Sequence, residues 1–143
     1  MKIRCVTYKD KFSAGGKSMN DLLIGQAHGT VGCGSKVFGA SEKGDLVVIN
    51  AEENGIKYVI IGMIMEKIEN CYAWQQEGGH VWPYNFTYKP ITKMFALDKE
   101  TKKQIEEIAQ KIGVNKHNVF NSRFCSVKCK EIVDMLVTRY SYS

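Results

Sequence analysis

Proline is nearly missing from this chain, with two residues in 143, Pro83 and Pro90. Such scarcity beside an ordinary apolar content argues against a disordered polypeptide. Long apolar runs are missing too. None approaches the ~18–20 residues of a membrane span, so no membrane partner is expected. The opening MKIRCVTYKD lacks the apolar centre of a secretory signal and predicts an intracellular protein, cytoplasmic or nuclear. Paired cysteines are also lacking. The five present, Cys5, Cys33, Cys71, Cys125 and Cys129, are odd in number and irregular in spacing. They fit partly buried thiols in a reducing compartment better than a disulfide framework. Cys125 and Cys129 share a helix face, with His117 nearby in sequence. The ligand pairs of a zinc finger or ribbon are nevertheless absent, so no metal is expected, and no other cofactor.

What is present describes one domain, residues 1–143, long enough to bury a core without staples. The net charge of +5 is a modest bias towards polyanions and speaks to non-specific association. Lys2 to Tyr8 alternates as a first strand. KDKFSAGGKSMN breaks regular structure at Gly15-Gly16, and Ser18 or Asn20 can cap a short helix through Ala27. The following HGTVGCGSKVFGASEKGD holds Gly29, Gly32, Gly34, Gly39 and Gly44. Its order is not GxxxxGK[ST], which excludes a nucleoside-triphosphatase loop. Two readings remain: backbone that can approach a ligand closely, or an irregular connection with several turns.

Gly44 to Asn50 reads as a strongly apolar strand, and Asn54-Gly55 signals a hairpin into Ile56–Met65. Gly62 in that return strand marks a bulge or a close approach. Tyr84 to Ile91 alternates as another strand, stopped by Pro90. From Leu97 the period becomes helical. Asp98 is the expected N-cap, Ile105, Ile108, Ala109 and Ile112 form the stripe, and Gly113 is the stop. A second helix is expected from near Ser126, with Cys129, Ile132, Val133, Leu136 and Val137 on one face. The expected fold class is α+β: a small, curved, antiparallel or mixed β-barrel with flanking helices and two C-terminal helices.

The stretch from Cys71 to Ile91 holds both tryptophans, Trp74 and Trp82, with Tyr72, Tyr84, Phe86, Tyr88, His80 and both prolines. Large rings beside the flexible Gly78-Gly79 suit a slot for a flat ligand such as a nucleobase. Equally, such rings can simply cover one end of a sheet. Lys11, Lys17, Lys36 and Lys43 are candidate phosphate contacts, and Arg123, Lys128 and Lys130 form a second candidate patch. The alternative for each is an ordinary solvated charge.

GDLVVINAEENGIKYVIIGMI, an aromatic loop, then WPYNFTYKPI resembles the PUA-like superfamily, particularly its EVE and YTH-like members. The features that carry the resemblance are Gly44-Asp45, Asn54-Gly55, Gly62, Trp74, Trp82 and Pro90-Ile91, over roughly residues 30–95. The resemblance implies a PUA-like barrel that binds DNA or RNA and holds a modified or flipped base in an aromatic pocket. It implies cage walls at Trp74 and Trp82, with Tyr84 or Phe38 as further surfaces. Cys33, flanked by Gly32 and Gly34, falls where members of the family offer backbone polar groups to the base edge. Gly32 stands where YTH members carry a tryptophan, and the two tryptophans here are more widely spaced than theirs.

A non-catalytic reader of nucleic acid is therefore the principal expectation. One alternative is a small PUA-like hydrolase in which Cys33 pairs with His28 or His80. Another is a protein-interaction module docking through exposed aromatics. The sequence leaves oligomeric state open.

Overall fold

Four consecutive apolar residues, Leu46 to Ile49, belong to a strand covered on both faces. A computed structural model puts them at the centre of the protein; it describes residues 2–8, 30–33, 35–53, 55–69, 84–119 and 129–141. The strands are β1 (Ile3–Tyr8), β2 (Thr30–Cys33), β3 (Leu46–Glu53), β4 (Ile56–Glu69), β5 (Tyr84–Pro90) and β6 (Phe95–Ala96). The helices are α1 (Ser35–Ala40), α2 (Lys99–Ile112) and α3 (Lys130–Tyr140), with a 3-10 turn at Lys116–Asn118.

The fold is α+β around one mixed sheet in the order β1-β3-β4-β5-β2, with β6 also paired to β4. β1 runs parallel to β3, and the other strand pairs are antiparallel. Among the described residues β1 and β2 end the path without pairing to each other, so the expected barrel closure is not among the described pairings.

Alternation along the strands divides the core in two. One face carries Ile3, Leu46, Val48, Val59 and Ile61, packed with Ile105 and Ala109 of α2 and Ile132, Val133 and Leu136 of α3. The other carries Val6, Val47, Ile49, Ile60, Ile64, Phe86 and Tyr88, packed with Phe38 of α1. Each Val, Leu, Ile or Phe side chain among these, fully buried, stabilises the fold by roughly 1.5–3 kcal/mol relative to leaving it in water.

The glycine-rich stretch is where structure and expectation part. An irregular connection is one of the two readings of residues 28–45, yet they contain β2 and α1. β2 is fixed by its antiparallel partner β5, and α1 by burying Phe38 on the sheet. Neither element is long enough to show a period of its own.

Elsewhere local chemistry matches local structure. Gly55 turns the β3–β4 hairpin with φ 77°. At Gly62 a methyl group would collide with the Tyr88 ring, which folds over the strand at that point. Pro90, without an N–H, ends β5 opposite Gly62. The chain then stitches itself back onto β4: the amides of Ile91 and Thr92 both donate to Ile61 O, at 2.8 and 3.1 Å. The Ile61 amide donates to Thr92 Oγ1 at 2.9 Å. Buried Asp45 accepts from the Lys2 and Glu42 amides at 3.0 and 2.9 Å, tying the turn before β3 to the start of β1. Among the described residues no helix is long and apolar enough to cross a membrane.

Asp98 caps α2, its Oδ1 accepting from the Thr101 amide at 2.7 Å, and Gly113 closes the helix at φ 75°. The hydrogen bonds from the Thr101 amide, and then from its side chain, hold the Asp98 carboxyl below its ordinary pKa. A carboxylate depressed on folding adds stability above its unfolded pKa and loses that contribution as the pH falls through the lower folded value. Asp98→Ala should therefore melt below the parent at neutral pH, and the gap should close in acid. Paired thermal melts at pH 7 and pH 2 check this; an equal gap at both would refute the charged cap.

Candidate functional site

Three strand ends meet at one corner of the sheet. β2 finishes at Cys33, β5 begins at Tyr84 and β4 finishes at Glu69, and the register sets Cys33 opposite Tyr84 and Tyr84 opposite Glu69. Gly32 lies opposite Asn85 in the next row. The connection that carries Trp74 and Trp82 leaves from Glu69 and returns at Tyr84, so both its ends are anchored here.

Beneath the corner sits an aromatic stack. Phe38 lies parallel to Phe86, with ring centroids 5.7 Å apart and planes at 7°. It meets Tyr84 at 5.1 Å, tilted by 44°. Phe38 is 7% exposed and Phe86 fully buried, whereas Tyr84 keeps part of its surface open. Phe38 is thus occupied as the support under Tyr84 and shows little ring of its own. The Lys67 ammonium stands 4.6 Å from the Phe38 centroid, closing the exposed side of the stack with a cation–π contact.

Lys67 reaches that face because of a bulge. The β4–β5 register shifts between Ile64 and Glu66, so that Ile64 faces Tyr88, Glu66 faces Thr87 and Lys67 faces Phe86. A one-residue insertion flips every later side chain to the opposite face of the sheet. It carries Lys67 and Glu69 to the α1 side, where uninterrupted alternation would have placed Glu66 and Ile68.

No protein-family model matches this chain, and no curated protein matches it. The assignment of the corner accordingly rests on its own chemistry.

Of the residues singled out from sequence, the structure brings Cys33, Gly32, Tyr84 and Phe38 to this corner. Lys36 is exposed on α1, and Lys43 is exposed in the turn that follows it, beside the equally exposed Glu42. α1 crosses the sheet from β5 to β1, where Arg4 Nη2 donates to the Ala40 carbonyl. Trp74, Trp82, Gly34, Lys11, Lys17 and Arg123 lie outside the described residues, as do His28, His80, Cys125 and Lys128. Cys129 is buried under the start of α3 and His117 is exposed on the 3-10 turn. Among the described residues no three His, Cys, Asp or Glu cluster as metal ligands.

Two residues of the corner were missed from sequence. Lys67 was hidden by the bulge. Asn85, which alternation along β5 puts on the face away from Tyr84, Phe86 and Tyr88, is fully buried. Its signal was an amide-bearing residue amid aromatic and β-branched neighbours, a residue type depleted in strands.

Proposed function

We propose that this chain is a non-catalytic nucleic-acid-binding module that takes one unstacked base, plain or modified, at the corner where β2, β5 and β4 end. The observation that supports the reading is the Cys33–Tyr84–Glu69 register. It gathers the glycine-flanked end of β2, a partly open tyrosine and both anchors of the tryptophan-bearing connection in one place. Removing a base from its stack costs a few kcal/mol. Stacking on an aromatic side chain returns roughly 1–3 kcal/mol per base. Two rings therefore offset the cost, and one does so only marginally. Tyr84 on its Phe38–Phe86 support is one such surface, and Trp74 and Trp82 are the proposed others. Lys36, Lys43 and Lys67 supply cations on the same side of the sheet for phosphate contacts.

In this reading the mixed sheet is part of a small closed barrel of the PUA-like kind, working inside the cell where its DNA or RNA partner is found. Polar backbone groups around Gly32, Cys33 and Gly34 would read the base edge. The test is a panel of single- and double-stranded oligonucleotides with plain and modified bases, titrated at two salt concentrations. Trp74→Ala, Trp82→Ala and Tyr84→Ala should each weaken binding about tenfold or more, as expected for loss of one stacking surface. Their melting temperatures should stay close to the parent's. Three variants that bind as the parent does would end the proposal.

A further inference from the structure

A second concavity lies near the far end of β4, about 40 Å along the strand from the corner at 3.3 Å per residue. It is a cleft of ≈ 350 Å³ between the start of β4, α2 and the 3-10 turn. Its apolar lining is Leu97, Ile105 and Val119, each a core residue showing one edge. Among the described residues its polar lining is Lys57, Lys102, Lys116 and His117, with Glu106 the acidic side chain.

Among the described residues, lysines from three different elements line the cleft beside the Glu106 carboxylate, and Glu52 stands opposite Lys57 in the β3–β4 register. Lys102 and Glu106 stand one turn apart on α2, while Lys57 follows Gly55 out of the β3–β4 hairpin. Lys116 and His117 are held by a capped turn: Asn115 Oδ1 accepts from the His117 amide at 2.9 Å. Gly113 redirects the chain into that turn through its left-handed backbone. The backbone that carries Lys116 and His117 is therefore held in place beside the cleft. Lys116 reaches Glu106 at 3.8 Å, both about half exposed, and a surface pair of that kind is readily exchanged for a better anion.

We infer that this cleft binds a small phosphate monoester, its phosphate between Lys57, Lys102 and Lys116 and its flat or apolar body against Leu97, Ile105 and Val119. A dianionic phosphate monoester matches three cations better than a carboxylate does, and charge-assisted hydrogen bonds from lysine suit it. The volume is at the small end of the range for ligand sites, which fits one compact molecule. The site is independent of the corner, so either assignment can fail alone.

The experiment is an amide chemical-shift titration of the whole chain with AMP, adenosine, inorganic phosphate and an oligonucleotide lacking a terminal phosphate. AMP should move the resonances of Gly55, Lys57, Lys102, Lys116 and His117 saturably. Inorganic phosphate should bind the same residues more weakly, and adenosine should leave them in place. Lys102→Gln and Lys116→Gln, both at exposed positions, should each weaken AMP about tenfold, the loss of one charge-assisted hydrogen bond. Glu106→Gln should tighten it a few-fold by removing the competing carboxylate, a gain that a merely structural role would not produce. The inference is overturned if adenosine matches AMP, if the oligonucleotide moves the same resonances as strongly, or if the three cleft variants bind AMP as the parent does.

Discussion

Phe86→Ala is expected to lower the unfolding free energy by about 3–5 kcal/mol, the usual range for deleting a buried aromatic ring. Phe86 is fully buried, lies flat against Phe38 and faces Lys67 across the β4–β5 ladder. Its removal opens a cavity beside Phe38. Most domains are stable by only ~5–15 kcal/mol, so the loss is a large share of the total. Urea unfolding of the variant measures it directly. Phe86→Leu, which keeps most of the volume, should lose much less. Phe38→Ala should also destabilise the fold, and a double-mutant cycle between the two rings should show a coupling of about 0.5–1.5 kcal/mol. A loss below about 1 kcal/mol for Phe86→Ala would mean that the stack is not part of a packed core.

That prediction also separates stability from recognition. Tyr84 rests on the stack but remains partly open, so Tyr84→Ala should cost little stability and much binding. The two variants move in opposite proportions if the corner is a binding surface built on a rigid floor.

The long elements were readable because each carries its own period and punctuation. β3 has its apolar run, β5 its alternation and terminal Pro90, and α2 its stripe between Asp98 and Gly113. All three stand close to the expected bounds. β2 and α1 were not readable, since four residues and six residues are too few to display a period. Their structure comes from partners distant in sequence, β5 for one and the sheet face for the other. β6 is shorter still at two residues and is defined by pairing to Tyr58 and Val59. The parallel pairing of β1 with β3 was likewise invisible, because alternation says nothing about strand direction. The site was legible as a set of residue types and not as an arrangement. Tyr84 and Cys33 were named from sequence, but their register was not. Lys67 could not be placed while the bulge after Ile64 was unknown, because one inserted residue reverses the parity of every later side chain.

On the opposite face of the sheet the partly buried Tyr140, near the end of α3, packs against the core, and Tyr140→Ala should cost about 2 kcal/mol. The Tyr140 ring stacks on Phe95 with centroids 3.9 Å apart and planes at 2°. Its hydroxyl lies 2.7 Å from Thr101 Oγ1, on a fully buried residue in the first turn of α2. Its carbonyl accepts from the Lys93 amide at 3.0 Å, beside the bridge between Thr92 and Ser141. One side chain thus joins α3, α2 and β6, and its loss loosens all three. Tyr140→Phe keeps the ring and takes one of two partners from the Thr101 hydroxyl, which still donates to the Asp98 carboxylate, so it should cost only about 0.5–1.5 kcal/mol, the net worth of one hydrogen bond. Adding Thr101→Val also removes the bond to the Asp98 carboxylate, so the double variant should be less stable than Tyr140→Phe alone. Urea unfolding of the three variants measures the order. If Tyr140→Phe is as damaging as Tyr140→Ala, the ring stack contributes nothing; if Thr101→Val adds no loss to Tyr140→Phe, the Thr101 hydroxyl does not support the Asp98 cap. Because α1 and the corner lie on the other side of β3 and β4, each of these variants, held below its melting temperature, should bind oligonucleotide as the parent does.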